Sequence, residues 1–321
     1  MKKCNFLLSL VLVLAALLSA CTTAAPTPAQ TAAATAPVVT STTAALTFTD
    51  GLKRTVTLKA PAQRIVSLAP SATEMLFAVG AGSQVVGRDH FSDYPQSVTA
   101  LQDVGGSSGN YSYEAITALH PDLVVTAAIN TADQVKALEK LGLTVYSLAN
   151  PADFTDLFDQ MVTLGKLTGH ESEAQSAAAA LSQRVDAVKT VIAKATTQPL
   201  VFYELDGTDP AKPWTSGPGT FMDKMITLAG GKNIGADLSS SWAQISIEDL
   251  LVKNPDLILL GDSSYGVSVD QVAARTGWEK LTAVQQKHIY VFDDDLVSRA
   301  GPRMVDGLEA LAKIIHPELF K

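Results

Sequence analysis

Only two cysteines occur in the 321 residues, Cys4 and Cys21, and both lie at the N-terminal edge. Everything after Cys21 therefore lacks a thiol, which excludes disulfides and cysteine-held metals and leaves stability to an apolar core. The five histidines, His90, His120, His170, His288 and His316, are scattered, with no pair at helical ligand spacing, so the reading contains no metal site. Neither common phosphate-cradling glycine pattern is present, and no nucleotide cofactor is indicated. Basic residues are also scarce. With 24 Lys and Arg against 32 Asp and Glu the formal charge is −8, and it falls to −10 once Lys2 and Lys3 leave with the first 21 residues. A chain this acidic is a poor nucleic-acid binder.

Lys2 and Lys3 precede an apolar run from Phe6 to Leu18, and Leu18-Ser19-Ala20-Cys21 closes the run with small residues. This is the form of a targeting signal. It resembles that of a bacterial lipoprotein, which implies cleavage before Cys21 and lipid on its sulfur; a plain signal peptide or a short anchor helix is the alternative. Residues 22–45 are almost entirely Thr, Ala, Pro, Ser, Gln and Val, too polar and small to offset their ordering entropy, and read as a disordered tether.

The rest is organised around 171–195. Between Gly169 and Pro199 no Gly or Pro interrupts it, and Ala174, Ala177, Leu181, Val185, Val188, Ile192 and Ala195 recur at intervals of three and four. That spacing predicts one long helix, with acids at its start and lysines near its end to complement the helix dipole. At about 1.5 Å per residue it would approach 40 Å, a strut between two bodies.

The flanks of the strut repeat each other. Ser112-Tyr113-Glu114 precedes Pro121-Asp122 and the apolar run 123–125; Ser246-Ile247-Glu248 precedes Pro255-Asp256 and the apolar run 257–259. In both, the Glu stands seven residues before the Pro. Each copy reads as a Ser-capped helix followed by a buried parallel strand, with Glu favoured in the first turn. Duplication of the unit implies two lobes of one architecture.

A hairpin is expected at 46–58 across Asp50-Gly51. Strands at 64–68, 85–87, 123–126 and 145–148 alternate with helices at 71–79, 112–119, 132–141 and 153–167. After Pro199, strands at 200–205, 257–260 and 289–292 alternate with helices at 220–228, 246–252, 269–281 and 302–315. The fold class is α/β: two lobes, each a mainly parallel sheet flanked by helices, joined by the long helix, with a ligand cleft between them. The boundaries are 1–21 signal, 22–45 tether, 46–168 N-terminal lobe, 169–198 linking helix and 199–321 C-terminal lobe.

In open α/β sheets, ligands settle beyond the carboxyl ends of the strands. The loops there are 69–71, 89–95, 214–219, 240–244 and 293–303, and they carry Phe91, Tyr94, Trp214, Trp242, Asp295 and Arg299. Aromatic carbon with a few polar groups is how a cleft holds a sizeable ligand. Gly105-Gly106-Ser107-Ser108-Gly109 fits the Gly-x-Ser-x-Gly pattern, which would make Ser107 a hydrolase nucleophile with His288 or His316 downstream. That elbow needs a buried strand directly before it, and 101–104 is a poor strand.

Lipoprotein signal, polar tether, paired α/β lobes and long helix, together with Arg64-Ile65-Val66-Ser67-Leu68-Ala69-Pro70-Ser71-Ala72-Thr73-Glu74, Ser92-Asp93-Tyr94-Pro95 and Ala300-Gly301-Pro302-Arg303, resemble the solute-binding proteins of bacterial ABC importers for siderophores, haem and cobalamin. The chain is most similar to the cobalamin binders. The resemblance implies an exported receptor that alters no bond in its ligand, and it places Ala69, Phe91, Trp214, Trp242, Asp295 and Arg299 at the ligand. Ser108 and Ala127 stand where the cobalamin binders have tryptophans, so that part of the lining falls to Trp214 or Tyr111. Glu114 and Glu248 align with the glutamates that pair with arginines of the two permease subunits. The implied partners are a permease dimer with its ATPases and, through lipid on Cys21, a membrane; the receptor itself would be a monomer that closes little on its ligand. A ferric-siderophore or haem receptor of the same family, and a secreted serine hydrolase using Ser107, are the alternatives.

Overall fold

The computed structural model describes residues 45–106 and 109–320. Cys21, Ser107, Ser108, the signal and nearly all of the tether lie outside them.

The expected hairpin pairs β1 (Leu46–Thr49) with β2 (Thr55–Leu58) antiparallel. Its turn is held by buried Asp50, whose carboxylate accepts from the amides of Leu52 and Arg54 at 2.9 Å each. The N-terminal lobe then runs β3 (Ile65–Ser67), α1 (Pro70–Ala78), β4 (Val85–Arg88), β5 (Gln102–Asp103), α2 (Tyr113–Ala118), β6 (Leu123–Thr126), α3 (Ala132–Lys140), β7 (Val145–Ser147) and α4 (Phe154–Thr168). All its sheet pairings are parallel, in the order β5-β4-β3-β6-β7. Residues 101–104, a poor strand by sequence, do supply the edge strand β5, which is only two residues long.

The linking helix α5 (Glu171–Ile192) is 22 residues long, three fewer than its apolar pattern suggested, and about 33 Å at the standard rise. Gly169, left-handed at φ 81°, ends α4 and turns the chain into it. The two helices approach closely at Gly165, where a Cβ would stand 2.4 Å from that of Ala174. Far from spanning open space, α5 lies along α4 on one side and the last helix on the other, burying Ala174, Ala178, Val185 and Val188.

Beyond α5 come β8 (Leu200–Glu204), β9 (Trp214–Ser216), α6 (Phe221–Leu228), β10 (Lys232–Asn233), β11 (Trp242–Gln244), α7 (Ile247–Lys253), β12 (Leu257–Leu260), α8 (Val269–Ala273), α9 (Thr282–Gln285), β13 (Ile289–Val291), α10 (Asp295–Ser298) and α11 (Met304–Ile315). The parallel order is β10-β8-β12-β13. Two expectations change. The helix expected over 269–281 is broken: α8 stops at Ala273, and Gly277 at φ 88° diverts the chain so that Trp278 is fully buried and its indole N–H reaches the Pro210 carbonyl at 3.2 Å. The loops containing Trp214 and Trp242 are in fact β9 and β11, an antiparallel ribbon in which Trp242 faces Ser216 and Gln244 faces Trp214.

Both repeat strands, β6 and β12, are buried along their whole length, as strands covered on two faces must be. The main apolar core is continuous from lobe to lobe: Ile65, Met75 and Val125 belong to the same cluster as Leu164, Val185, Val201, Met225 and Leu308. Phe154 of α4 meets Phe221 of α6 edge-on at 5.3 Å within it. Smaller clusters cover the outer face of each sheet.

Candidate functional site: a cleft between the lobes

A cavity of about 530 Å³, within the usual range for ligand sites, opens between the two lobes. Its N-terminal wall includes Ala69, Phe91, Tyr111, Ala127 and Ile129; the C-terminal wall includes Tyr265, Asp295 and Arg299. Of the six residues expected at the ligand, the structure brings together Ala69, Phe91, Asp295 and Arg299. Trp214 and Trp242 are partly exposed on the β9-β11 ribbon and are not among the residues lining this cavity. Of the two aromatics suggested as substitutes for the missing tryptophans, Tyr111 is the one that lines it. Its hydroxyl donates to the Leu68 carbonyl at 2.9 Å and accepts from the Asn130 amide at 2.7 Å.

Phe91 is held out by a buried polar frame. Asp89, 2% exposed, accepts from the Phe91 amide at 2.9 Å and from the Ser92 hydroxyl, which also contacts Thr73 Oγ1 at 2.7 Å. Burial pushes the Asp89 carboxyl up from its ordinary value, against the pull of these bonds. The ring it supports is 52% exposed.

The C-terminal wall of the cleft carries an ion pair, Asp295 and Arg299. Arg299 bonds Asp295, one helical turn away, at 2.8 Å and crosses to Asp93 of the other lobe at 2.5 Å. Burial raises the Asp295 carboxyl; at Asp93 burial acts the same way, but the bond and charge of Arg299 outweigh it and hold that carboxyl low. Beside them Arg303 grips Glu74 with two bonds, at 3.0 and 2.6 Å, and lies 4.4 Å from the centre of the Tyr94 ring. Burial pushes the Glu74 carboxyl up despite that grip. The three short motifs that carry the family resemblance thus meet at one place: Glu74 from the first, Asp93 and Tyr94 from the second, Arg303 from the third. They join the lobes. Sequence reasoning quoted Glu74, Asp93 and Arg303 without giving them a task, because partners 206 and 229 positions apart leave no local signal; Tyr94, expected among the aromatics at the ligand, instead lies against Arg303 and outside the residues lining the cavity.

Ile129 and Tyr265 were also missed. They are 76% and 87% exposed on the loops that follow the repeat strands β6 and β12, so the duplication relates the two loops though not the two residues position for position.

Glu114 and Glu248 are exposed, each the second residue of its helix. Ser112 Oγ accepts from the Ala115 amide at 3.2 Å and Ser246 Oγ from the Asp249 amide at 3.0 Å, so the caps match the expectation. Among the described residues neither glutamate is ion-paired.

His288 stacks on Tyr290, and buried His316 uses both ring nitrogens, toward Glu318 at 3.0 Å and the Gly230 carbonyl at 3.2 Å. No group of three His, Cys, Asp or Glu able to hold a metal occurs among the described residues.

The profile of the periplasmic binding protein family matches residues 65–296. The chain belongs to that family. An uncharacterized ABC transporter substrate-binding lipoprotein of Bacillus subtilis, YvrC, is 34% identical over 284 residues, 86% of this chain and 87% of its own. The crystal structure of the periplasmic vitamin B12-binding protein BtuF of Vibrio cholerae is similar with a TM-score of 0.68 at 29% identity, covering 81% of this chain and 99% of that one. The haem-binding protein RhuT of Roseiflexus reaches 0.71 at 27% identity, covering 80% and 99%. Each is named for binding or transport.

Proposed function

We propose that this family member is the capture component of an ABC importer and that its cargo is cobalamin or a related corrinoid, bound between the lobes without chemical change. The observation that carries the reading is the interlobe cavity, lined by aromatic and apolar residues together with the Asp295–Arg299 ion pair, in a chain similar to vitamin B12-binding proteins. Phe91 would lie against the flat ring system, Ala69 would let it approach the start of α1, and Asp295 and Arg299 would take the polar groups at its edge. Trp214 and Trp242, displayed on the ribbon, would meet the parts of a large ligand that project beyond the cavity.

Lipid on Cys21 would hold the receptor at a membrane through the tether 22–45; no described helix is long and apolar enough to cross one. The lobes take the boundaries 46–168 and 199–321, with 169–198 between them. Glu114 and Glu248, each on a lobe of its own, would meet basic residues of the two permease subunits, an arrangement that fixes orientation more than it adds affinity. A monomer suffices for this. A shared core and the Glu74–Arg303 bridge oppose wide lobe closure, so scattering profiles with and without ligand should nearly superpose.

Isothermal titration with cyanocobalamin, haem and a ferric siderophore tests the assignment. Tight binding of cyanocobalamin alone is expected. Haem is the second reading, favoured by the similarity to RhuT, and a preference for haem or the siderophore would replace the corrinoid while leaving the importer role.

A further inference from the structure

We infer that Ile129 and Tyr265 are preformed jaws of the cleft, one per lobe, that bear on the apolar faces of the captured ring system without a change in lobe angle. This deepens the corrinoid reading and rests on it. Three observations point there. First, both line the interlobe cavity, yet their side chains are among the most exposed large apolar groups described, at 76% and 87%. Second, they occupy corresponding loops of the duplication, three and five residues beyond the ends of β6 and β12. Third, both loops are pinned from beneath by a buried polar residue, as Phe91 is by Asp89. Under Ile129, buried Asn130 accepts from the Ala127 amide at 2.9 Å and donates to the Leu68 carbonyl at 3.1 Å. Under Tyr265, Asp262, 4% exposed, accepts from the Gly207 amide at 2.8 Å, while its carbonyl accepts from the Tyr265 amide at 2.9 Å.

Because each loop is braced, its backbone has little freedom left to give up on binding, so burying the side chain against a ligand adds affinity at the ordering cost of that side chain alone. Val252, 84% exposed on α7 and outside the cavity, is the natural control.

The test is titration calorimetry on the full-length chain with cyanocobalamin, repeated for Ile129→Ala, Tyr265→Ala, Tyr265→Phe and Val252→Ala. Tyr265→Ala should weaken binding about tenfold and Ile129→Ala about threefold, mostly through faster dissociation. Tyr265→Phe, which keeps the ring, should stay within about twofold of the unaltered protein. Thermal midpoints should not move. Unchanged affinity in both alanine variants, or an equal loss in Val252→Ala, would overturn the inference. Should the unaltered protein bind haem and not cyanocobalamin, the corrinoid assignment fails, and the same variants titrated with haem decide the jaws separately.

Discussion

The two lobes are copies that agree where they face outward and differ where they face each other. Helices α2 and α7 start with the same serine cap and the same exposed glutamate in second position, and β6 and β12 are alike buried throughout. At the cleft the likeness ends. The N-terminal wall offers small residues around Phe91 and Ile129, whereas the C-terminal wall brings Tyr265 and the Asp295–Arg299 pair, and its lobe adds the two-tryptophan ribbon. A duplicated frame has kept its repeat on the helix starts and spent its divergence on strand-end loops, the usual place for specificity.

The comparison breaks most severely at two of the buried ion pairs, one across the lobes and one within the C-terminal lobe. Glu74 is 3% exposed beneath Arg303, and Glu204 is fully buried against Arg275 at 2.5 Å. Replacing either arginine by alanine strands a buried carboxylate and should cost about 3–5 kcal/mol in denaturant titrations. The pH dependence has a definite sign. Burial raises both glutamates above their ordinary values even with the arginines present, so in each the folded state holds its proton more tightly than the unfolded chain. Without the arginine that difference widens, and the deficit of Arg303→Ala should therefore be smaller at pH 5 than at pH 7. A deficit that grew on acidification would contradict this account of the junction.

Next in size is Phe154→Ala, which removes a ring shared by the lobes and should cost about 3 kcal/mol while unfolding remains a single transition. Two resolved transitions would show that the lobes are energetically separate. The caps come after that: Ser112→Ala and Ser246→Ala should each lose about 1 kcal/mol, and a clear inequality would mean that the copies are less alike than their geometry. The smallest effect on stability belongs to Glu114→Lys and Glu248→Lys, below about 1 kcal/mol from the helix dipole alone. Both charge reversals should leave titrated ligand affinity in place and reduce uptake by whole cells; loss of affinity would remove the docking role.

Much of this was legible from residue order. Period and punctuation located the hairpin, the repeat strands, the capped helices and the buried face of α5, because each is decided within a few neighbours. The ribbon was not legible, since strands of three residues such as 214–216 are too short to show alternation. Nor was the break at Gly277, where burial of Trp278 overrides a plausible helical run. The Glu74–Arg303 and Asp93–Arg299 contacts are made by the tertiary fold alone. Ile129 and Tyr265 lay between these extremes: their loops follow the repeat strands, yet those loops were not among the strand ends from which the site residues were drawn.

The unbroken apolar interior also bears on how this receptor could be dissected. A scissor cut through α5 would give two fragments, each baring a greasy flank the size of a helix-to-helix seam, so neither half should be recoverable as a soluble piece. A ligand sensor is therefore better built on the intact chain, with its fluorophore beside the cleft and off the residues that line it.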